Sequence, residues 1–178
     1  MLTLRRKPSP AVVREPDTVD LLLECHERIR RFTRVALWLA HAEDAPAAAV
    51  EETARSVLRY FTEALPRHAA DEDESVMPRL LALPLPDGSR TAVRLMSHQH
   101  PALEEVLAGL APAWGAIAAD PGALPSYAEE MRRATDRLQG MWAIHLSLEE
   151  NTVFPLMREH LSPRTLEDIR AEMRARRR

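Results

Sequence analysis

The chain has 178 residues and a formal net charge of −3 at pH 7, with 46% hydrophobic and 29% charged residues. A chain of this length and composition is expected to fold as one globular domain around a single core. Five glycines, 4% aromatic residues and one cysteine argue against a glycine-rich phosphate loop, a base-stacking nucleic-acid platform and a disulfide framework.

The N-terminal sequence and the net charge indicate which compartment and which partners to expect. No apolar segment follows the charged residues near the N-terminus, so a signal peptide is not expected. The longest uncharged stretch, residues 106–119, contains Pro112 and two glycines and predicts no membrane span. A single cysteine suits a reducing compartment, and the acidic net charge favours neither nucleic acid nor a membrane as partner. We therefore expect a cytoplasmic protein, as a monomer or a homodimer.

The pattern of residues along the chain predicts an all-α fold. Ala, Leu, Arg and Glu are abundant, and β-branched residues never alternate over a useful length. Residues 1–16 contain three prolines and predict an extended N-terminal arm. Four long helices are predicted at residues 17–41, 47–83, 89–118 and 126–158, with a bend or break at Pro66 in the second.

Short turns join these helices, and this organisation predicts the topology. Long helices connected by short turns run antiparallel to their neighbours, so residues 17–160 are expected to form an up-down-up-down four-helix bundle. Ser162 and Pro163 then resemble an N-cap and a first-turn proline. They predict a short basic C-terminal helix or tail within residues 161–178.

One histidine lies on the apolar stripe of each predicted long helix. These histidines are His26, His68, His100 and His145. Glu72 and Glu149 follow His68 and His145 by four residues and therefore share a helix face with them. Because burying an isolated carboxylate costs several kcal/mol, the two glutamates need a partner, and a cation between the helices would provide one.

The two His/Glu pairs belong to an internal repeat. Residues 68–80 read HAADEDESVMPRL and residues 145–157 read HLSLEENTVFPLM, so both share H-x3-E-x3-V-[MF]-P. The repeat predicts two helical hairpins related by a pseudo-two-fold axis, each giving one lone histidine and one His/Glu pair. Such symmetry suits two metal ions. Nitrogen and oxygen donors without a thiolate favour iron or manganese and, less specifically, zinc.

Other charged residues are expected to have structural roles. Taken singly, a histidine on an apolar face is more often a core residue than a ligand, but the joint pattern favours metal binding. Asp71, Asp73, Glu74 and Glu150 are predicted to form a solvated acidic face. The arginines of residues 170–178 are predicted to be a solvated helix end, with a weak contact to an acidic partner or to nucleic acid as the alternative.

The order H…HxxxE…H…HxxxE over residues 17–158 resembles the hemerythrin-like, or HHE cation-binding, domain. The segment HLSLEENTVFP is the most specific part of this resemblance. It implies a four-helix bundle with two iron ions, joined by an oxo group or a carboxylate, and with Mn or Zn as alternatives. The ligands it implies are His26, His68, Glu72, His100, His145 and Glu149, with Glu72 favoured as the bridge.

Two positions depart from the pattern of the oxygen-carrying members. Glu104 stands where those proteins have a second histidine, one turn after the third-helix histidine. Either the site does not carry oxygen reversibly in the simple way of those proteins, or Glu104 is a further ligand. Pro101 disfavours helical geometry at His100, so His98 is a rival ligand. We prefer His100 because it keeps the apolar register of its helix.

The resemblance also implies a function. It predicts a non-haem di-iron protein that binds O2, peroxide or NO, for sensing, oxidative-stress detoxification or iron handling. Peroxide decomposition would be the enzymatic form of this function. The alternative is a metal-stabilised helical interaction module without turnover.

Overall fold

The computed structural model describes residues 15–178. The predicted N-terminal arm, residues 1–16, lies outside this range except for its last two residues. The described part of the chain is 87% helical and contains no strand, so the predicted all-α class is confirmed.

Five helices make up the fold. They are α1 (Thr18–Leu39), α2 (residues 47–81), α3 (Asp87–Ala119), α4 (residues 124–160) and α5 (Pro163–Ala175). The long helices α2 and α4 are interrupted by π turns at Tyr60–Ala64, Asp71–Val76 and Glu149–Val153. A short 3-10 turn, Pro121–Ala123, leads into α4. The four long helices pack as the predicted bundle, and α5 crosses onto α1 and the middle π turn.

The first and last helices begin at side-chain caps. Asp17 and Asp20 exchange hydrogen bonds between side chain and backbone N–H, each 2.8 Å long, and form a capping box at α1. The Ser162 hydroxyl accepts from the Thr165 N–H at 3.1 Å, and Pro163 occupies the first turn of α5. These caps agree with the N-cap predicted from the sequence for the C-terminal helix.

Prolines inside the helices are accommodated without breaks. Pro66, Pro78 and Pro155 each stand two residues after a π turn. A proline ring clashes with the carbonyl four residues earlier, and the wider π turn before it moves that carbonyl away. Of the bend or break predicted at Pro66, the break does not occur: the chain passes through as a continuous helix with a π turn before the proline. Pro101 also lies inside an unbroken α3, so it does not remove His100 from helical geometry.

The apolar core forms two clusters with a polar layer between them. On α1, His26 lies between Leu22 of one cluster and Ile29 of the other. On α3, His100 lies in the same way between Met96 and Leu103. The two apolar clusters therefore close the bundle above and below the level of the histidines.

By length and composition alone, α3 is apolar enough to cross a membrane. The core helix of a bundle meets the same test, and α3 buries His100, Leu103 and Trp114 against other helices of the domain.

The basic C-terminal segment is anchored to the bundle. Arg176 and Arg177 donate hydrogen bonds to Asp71 at 3.0 and 2.5 Å, and Asp71 is 0% exposed. Glu172 accepts from Arg79 at 2.6 Å and from Ser75 at 2.5 Å. The prediction of a solvated arginine tail is therefore wrong for Arg170 and Arg176, whose side chains are 19% and 20% exposed, and Arg177, although exposed, is paired with Asp71.

Candidate metal centre

The structure brings all six predicted ligand residues together at the level between the two apolar clusters. None of them is more than 5% exposed. Their nitrogen and oxygen atoms form two groups, and within each group these atoms lie within 4.8 Å of one another. The groups are His26, His68, Glu72 and Glu149, and Glu72, His100, His145 and Glu149. The two glutamates belong to both.

Each central carboxylate faces imidazoles of both groups. Glu72 Oε1 is 3.3 Å from His68 Nε2, whereas Glu72 Oε2 is 3.4 Å from His100 Nε2. Glu149 Oε2 is 3.0 Å from His26 Nε2, and Glu149 Oε1 is 3.1 Å from His145 Nε2. Each glutamate thus presents one oxygen to each group, and either would be able to hold ions in both, whereas the resemblance favoured Glu72 alone.

The inward atoms lack hydrogen bonds within the described residues. Both carboxylate oxygens of Glu72 and of Glu149 are buried without a hydrogen-bond partner, as are Nε2 of His26, His68 and His100. Native proteins rarely leave buried polar atoms unpaired, and an unpaired buried carboxylate is especially costly. Two divalent or trivalent cations would satisfy this donor set, so a metal pair fits the site.

Side chains outside the cluster hold three of the four imidazoles from behind. Nδ1 of His26 lies 2.7 Å from Glu150 Oε1. Nδ1 of His100 lies 2.9 Å from Asp73 Oδ2, and Nδ1 of His145 lies 2.9 Å from Gln99 Oε1. These oxygens accept a hydrogen bond from Nδ1–H, which leaves the lone pair of Nε2 directed at the centre. Arg30 holds Glu150 in turn through two hydrogen bonds.

These outer contacts follow the internal repeat. Asp73 directly follows Glu72, and Glu150 directly follows Glu149. Each orients the lone histidine of the other half. Both were predicted to lie on a solvated acidic face, which is wrong for them and also for the buried Asp71. The signal was present as an acidic residue immediately after the glutamate in both copies. Glu74 is exposed, as predicted.

The electrostatics of the cluster follow from two buried carboxylates among imidazoles. Burial disfavours the charged form of His26. The hydrogen bonds and negative charges of Glu149 and Glu72 favour that form more strongly and raise the pKa of His26 to about 10. For His100, Asp73 and Glu72 outweigh burial in the same way and raise its pKa to about 10. Burial lowers the pKa of His68. Metal ions must displace the protons of these imidazoles, so metal binding is expected to release protons.

A cavity of about 280 Å³ reaches the cluster from the side of α2 and α3. Its buried end is formed by His68, Glu72, His100 and His145. Glu104 is exposed in its wall and belongs to neither group of converging atoms.

The rival histidine lies elsewhere on α3. His98 is exposed and lines a separate pocket with Met141 and Ile144. It is part of neither group of converging atoms, whereas His100 is.

Comparison with known proteins agrees with this geometry. The family model described as the hemerythrin HHE cation binding domain matches residues 17–157 and, in an overlapping second match, residues 91–177. A protein of Haemophilus influenzae described as uncharacterized is 27% identical over 169 residues, which covers 90% of this chain and 90% of that protein. The first family match contains all six converging residues.

Proposed function

The chain belongs to the hemerythrin HHE cation-binding domain family, and from this premise we propose that it holds two iron ions and binds a small oxygen or nitrogen species. O2, peroxide and NO are the ligands in question, and the role is sensing, oxidative-stress detoxification or iron handling. Manganese and zinc are the alternative metals, since imidazole and carboxylate donors suit them as well.

The sharing of Glu72 and Glu149 between the two groups carries this proposal. Each group supplies two imidazoles and one oxygen from each shared carboxylate, so neither group is complete without both glutamates. Four protein donors leave open positions on an ion that prefers six ligands. A closed structural zinc site would have used its donors fully and would favour cysteine.

The chain's own residues hold, orient and shield the proposed site. The two apolar clusters exclude bulk water from above and below, and Asp73, Glu150 and Gln99 fix three imidazole rings. The cavity beside His100 and His145 provides the approach for a small molecule. When bound, a pair of iron ions supplies electrons and Lewis acidity to a ligand at the open positions.

Metal content tests the proposal directly. We expect two iron ions per chain after anaerobic reconstitution, together with near-ultraviolet absorption, and loss of both in Glu72→Ala/Glu149→Ala. The matched control is Glu63→Ala/Glu159→Ala, which removes two exposed carboxylates away from the site. A chain that takes up no metal under these conditions would overturn the proposal.

The small-molecule step needs its own measurement. Titration of the iron-loaded protein with peroxide and with NO should change the absorption spectrum, and peroxide should be consumed if the protein is an enzyme. Binding of a single ion per chain, or of zinc, without a spectral response to peroxide or NO would instead favour the metal-stabilised interaction module.

A further inference from the structure

Three of the four converging imidazoles have an acceptor at Nδ1, and His68 is the exception. Both ring nitrogens of His68 are buried without a hydrogen-bond partner within the described residues. Because Nδ1 is buried, bulk water cannot take the place of the acceptor. Histidines that bind metals almost always donate their outer N–H to an acceptor, which fixes the ring and raises its basicity. His68 is therefore held less firmly than the other three.

The counterpart of His68 in the internal repeat has what His68 lacks. His145 also lies four residues before a shared glutamate, and Gln99 on α3 accepts a hydrogen bond from its Nδ1 at 2.9 Å. The backbone differs as well. His145 lies in the uninterrupted stretch Leu124–Leu148, whereas His68 lies in the six-residue segment Leu65–Ala70 between two π turns. The His145 ring is thus better preorganised to bind a metal ion.

The two remaining histidines differ in the same direction. Glu150, behind His26, also accepts two hydrogen bonds from Arg30, at 2.8 and 2.9 Å. Asp73, behind His100, contacts no arginine within the described residues. A neighbouring cation weakens the attraction of a carboxylate for a proton. Glu150 therefore raises the basicity of the His26 ring less than Asp73 raises that of the His100 ring.

The shared glutamates do not distinguish the two groups. Glu72 and Glu149 belong to both, and each presents one oxygen to either group. Because the carboxylate donors are common to the two groups, the imidazoles and the side chains behind them decide which group binds a metal ion more tightly.

We propose that the two groups bind metal with unequal affinity. The first ion binds with His100 and His145, and the ion that binds with His26 and His68 is weakly held and exchangeable. This inference rests on the proposed function, because it concerns the metal pair inferred there. One ion that stays beside one that exchanges suits iron handling better than a permanently filled pair.

The internal repeat provides a matched pair of variants. His68→Ala and His145→Ala each remove one imidazole four residues before a shared glutamate. Affinity is measured on the full chain by anaerobic competition for Fe²⁺ with a chelator. His68→Ala keeps the tighter group, so its remaining ion should bind as tightly as the first ion of the wild type. His145→Ala keeps only the weaker group, so its ion should bind roughly tenfold to a hundredfold more weakly.

A second pair repeats the comparison on the other two helices. His26→Ala should retain the tightly bound ion, whereas His100→Ala should lose it. At saturating Fe²⁺ all four variants should hold about one ion, so the contrast lies in affinity and not in capacity. Comparison between variants is needed because repulsion between two cations would also make the second ion of the wild type bind more weakly.

The outcomes separate this inference from the proposed function. Equal affinity in His68→Ala and His145→Ala, or weaker binding by His68→Ala, would overturn the inference even if two iron ions bind to the wild type. The same competition is carried out with Zn²⁺. If iron does not bind but Zn²⁺ gives the expected order of variants, the di-iron proposal fails and the inference of unequal groups stands. If neither metal binds, both are wrong.

Discussion

His100 depends on Asp73 for its orientation, because the Asp73 carboxylate lies 2.9 Å from Nδ1 and holds the ring with Nε2 directed inward. Removing such an outer partner commonly weakens metal affinity tenfold to a hundredfold. We therefore expect Asp73→Ala to weaken iron binding by roughly that factor, measured by competition with a chelator, while the helical circular dichroism signal stays unchanged.

Two further substitutions make the Asp73 result specific. Asp73→Asn keeps an acceptor oxygen without the charge, so its affinity should lie between those of the wild type and Asp73→Ala. Asp168→Ala removes an exposed carboxylate on α5 and should have no effect. Equal metal affinity in Asp73→Ala and Asp168→Ala would show that Asp73 does not support the centre.

The choice between His98 and His100 has a direct test. His100 belongs to a group of converging ligand atoms, whereas His98 is exposed on the outer side of α3. His100→Ala should lose at least one of the two ions, and His98→Ala should retain both, as measured by metal content after reconstitution. Loss of metal in His98→Ala with retention in His100→Ala would reverse the assignment.

The six converging residues could be predicted from helical periodicity, because each histidine continues an apolar stripe and each glutamate follows a histidine by four residues. Asp73 and Glu150 could not be predicted in that way. A residue adjacent to a ligand points about 100° away around its own helix, which suggests a solvent-facing position. Only the neighbouring helix, which brings His100 to Asp73 and His26 to Glu150, shows that these side chains have a partner.

At the scale of elements, α5 is held to the bundle by ion pairs between the buried Asp71 and two partly exposed arginines directly after the helix. Asp71 is 0% exposed and accepts hydrogen bonds from Arg176 and Arg177. Removing the positive partners of a buried charge costs about 3–5 kcal/mol. Arg176→Met/Arg177→Met should therefore lower the Tm by roughly 6–20 °C, since each kcal/mol shifts the Tm of a chain this size by about 2–4 °C.

A matched pair and a rescue variant test that explanation. Arg174→Met/Arg178→Met removes two exposed arginines from the same segment and should change the Tm little. Adding Asp71→Leu to Arg176→Met/Arg177→Met removes the unpaired carboxylate and should recover part of the lost stability. If both double substitutions lower the Tm equally, the loss of positive charge, and not the loss of the contact with Asp71, causes the destabilisation.

The contact between Glu172 and α2 predicts a response to acid. Hydrogen bonds from Arg79 and Ser75 hold the pKa of Glu172 below its usual value of 4.5. Because the folded-state pKa is the lower one, this contact stabilises the protein fully above about pH 4.5 and is lost as the pH falls through the folded pKa. The Tm difference between the wild type and Glu172→Gln should therefore be constant near neutral pH and shrink below pH 4.5. A difference that stays constant throughout acidification would contradict this role.

The ends of the helices could be predicted from the sequence, whereas the irregularities inside them could not. The turns follow from prolines and capping residues between apolar stripes, so the helices lie close to their predicted ranges. The π turns before Pro66, Pro78 and Pro155 were not predicted, because a proline in a helical pattern is equally compatible with a break. Leu65, directly before Pro66, and Val76, two residues before Pro78, are buried in the two apolar clusters, so the helix packs against the core up to each proline.

At the scale of the whole molecule, the two halves of the chain meet at Glu72 and Glu149. Each half contributes one of these glutamates, and each glutamate faces imidazoles of both groups. A metal ion held in either group would therefore take ligands from both halves of the chain. Two ions held there would depend on each other as well as on the fold, because both groups use the same two glutamates.

This dependence predicts that a shared glutamate and an unshared histidine behave differently when removed. Glu72→Ala takes an oxygen from both groups, so the iron content should fall below one ion per chain. His68→Ala, one turn earlier on α2, takes a nitrogen from one group only and should leave close to one ion. Glu149→Ala and His145→Ala should repeat this contrast in the other half. Metal analysis after reconstitution decides the matter: if Glu72→Ala keeps one tightly bound ion, the two groups bind metal independently and the carboxylates do not bridge them.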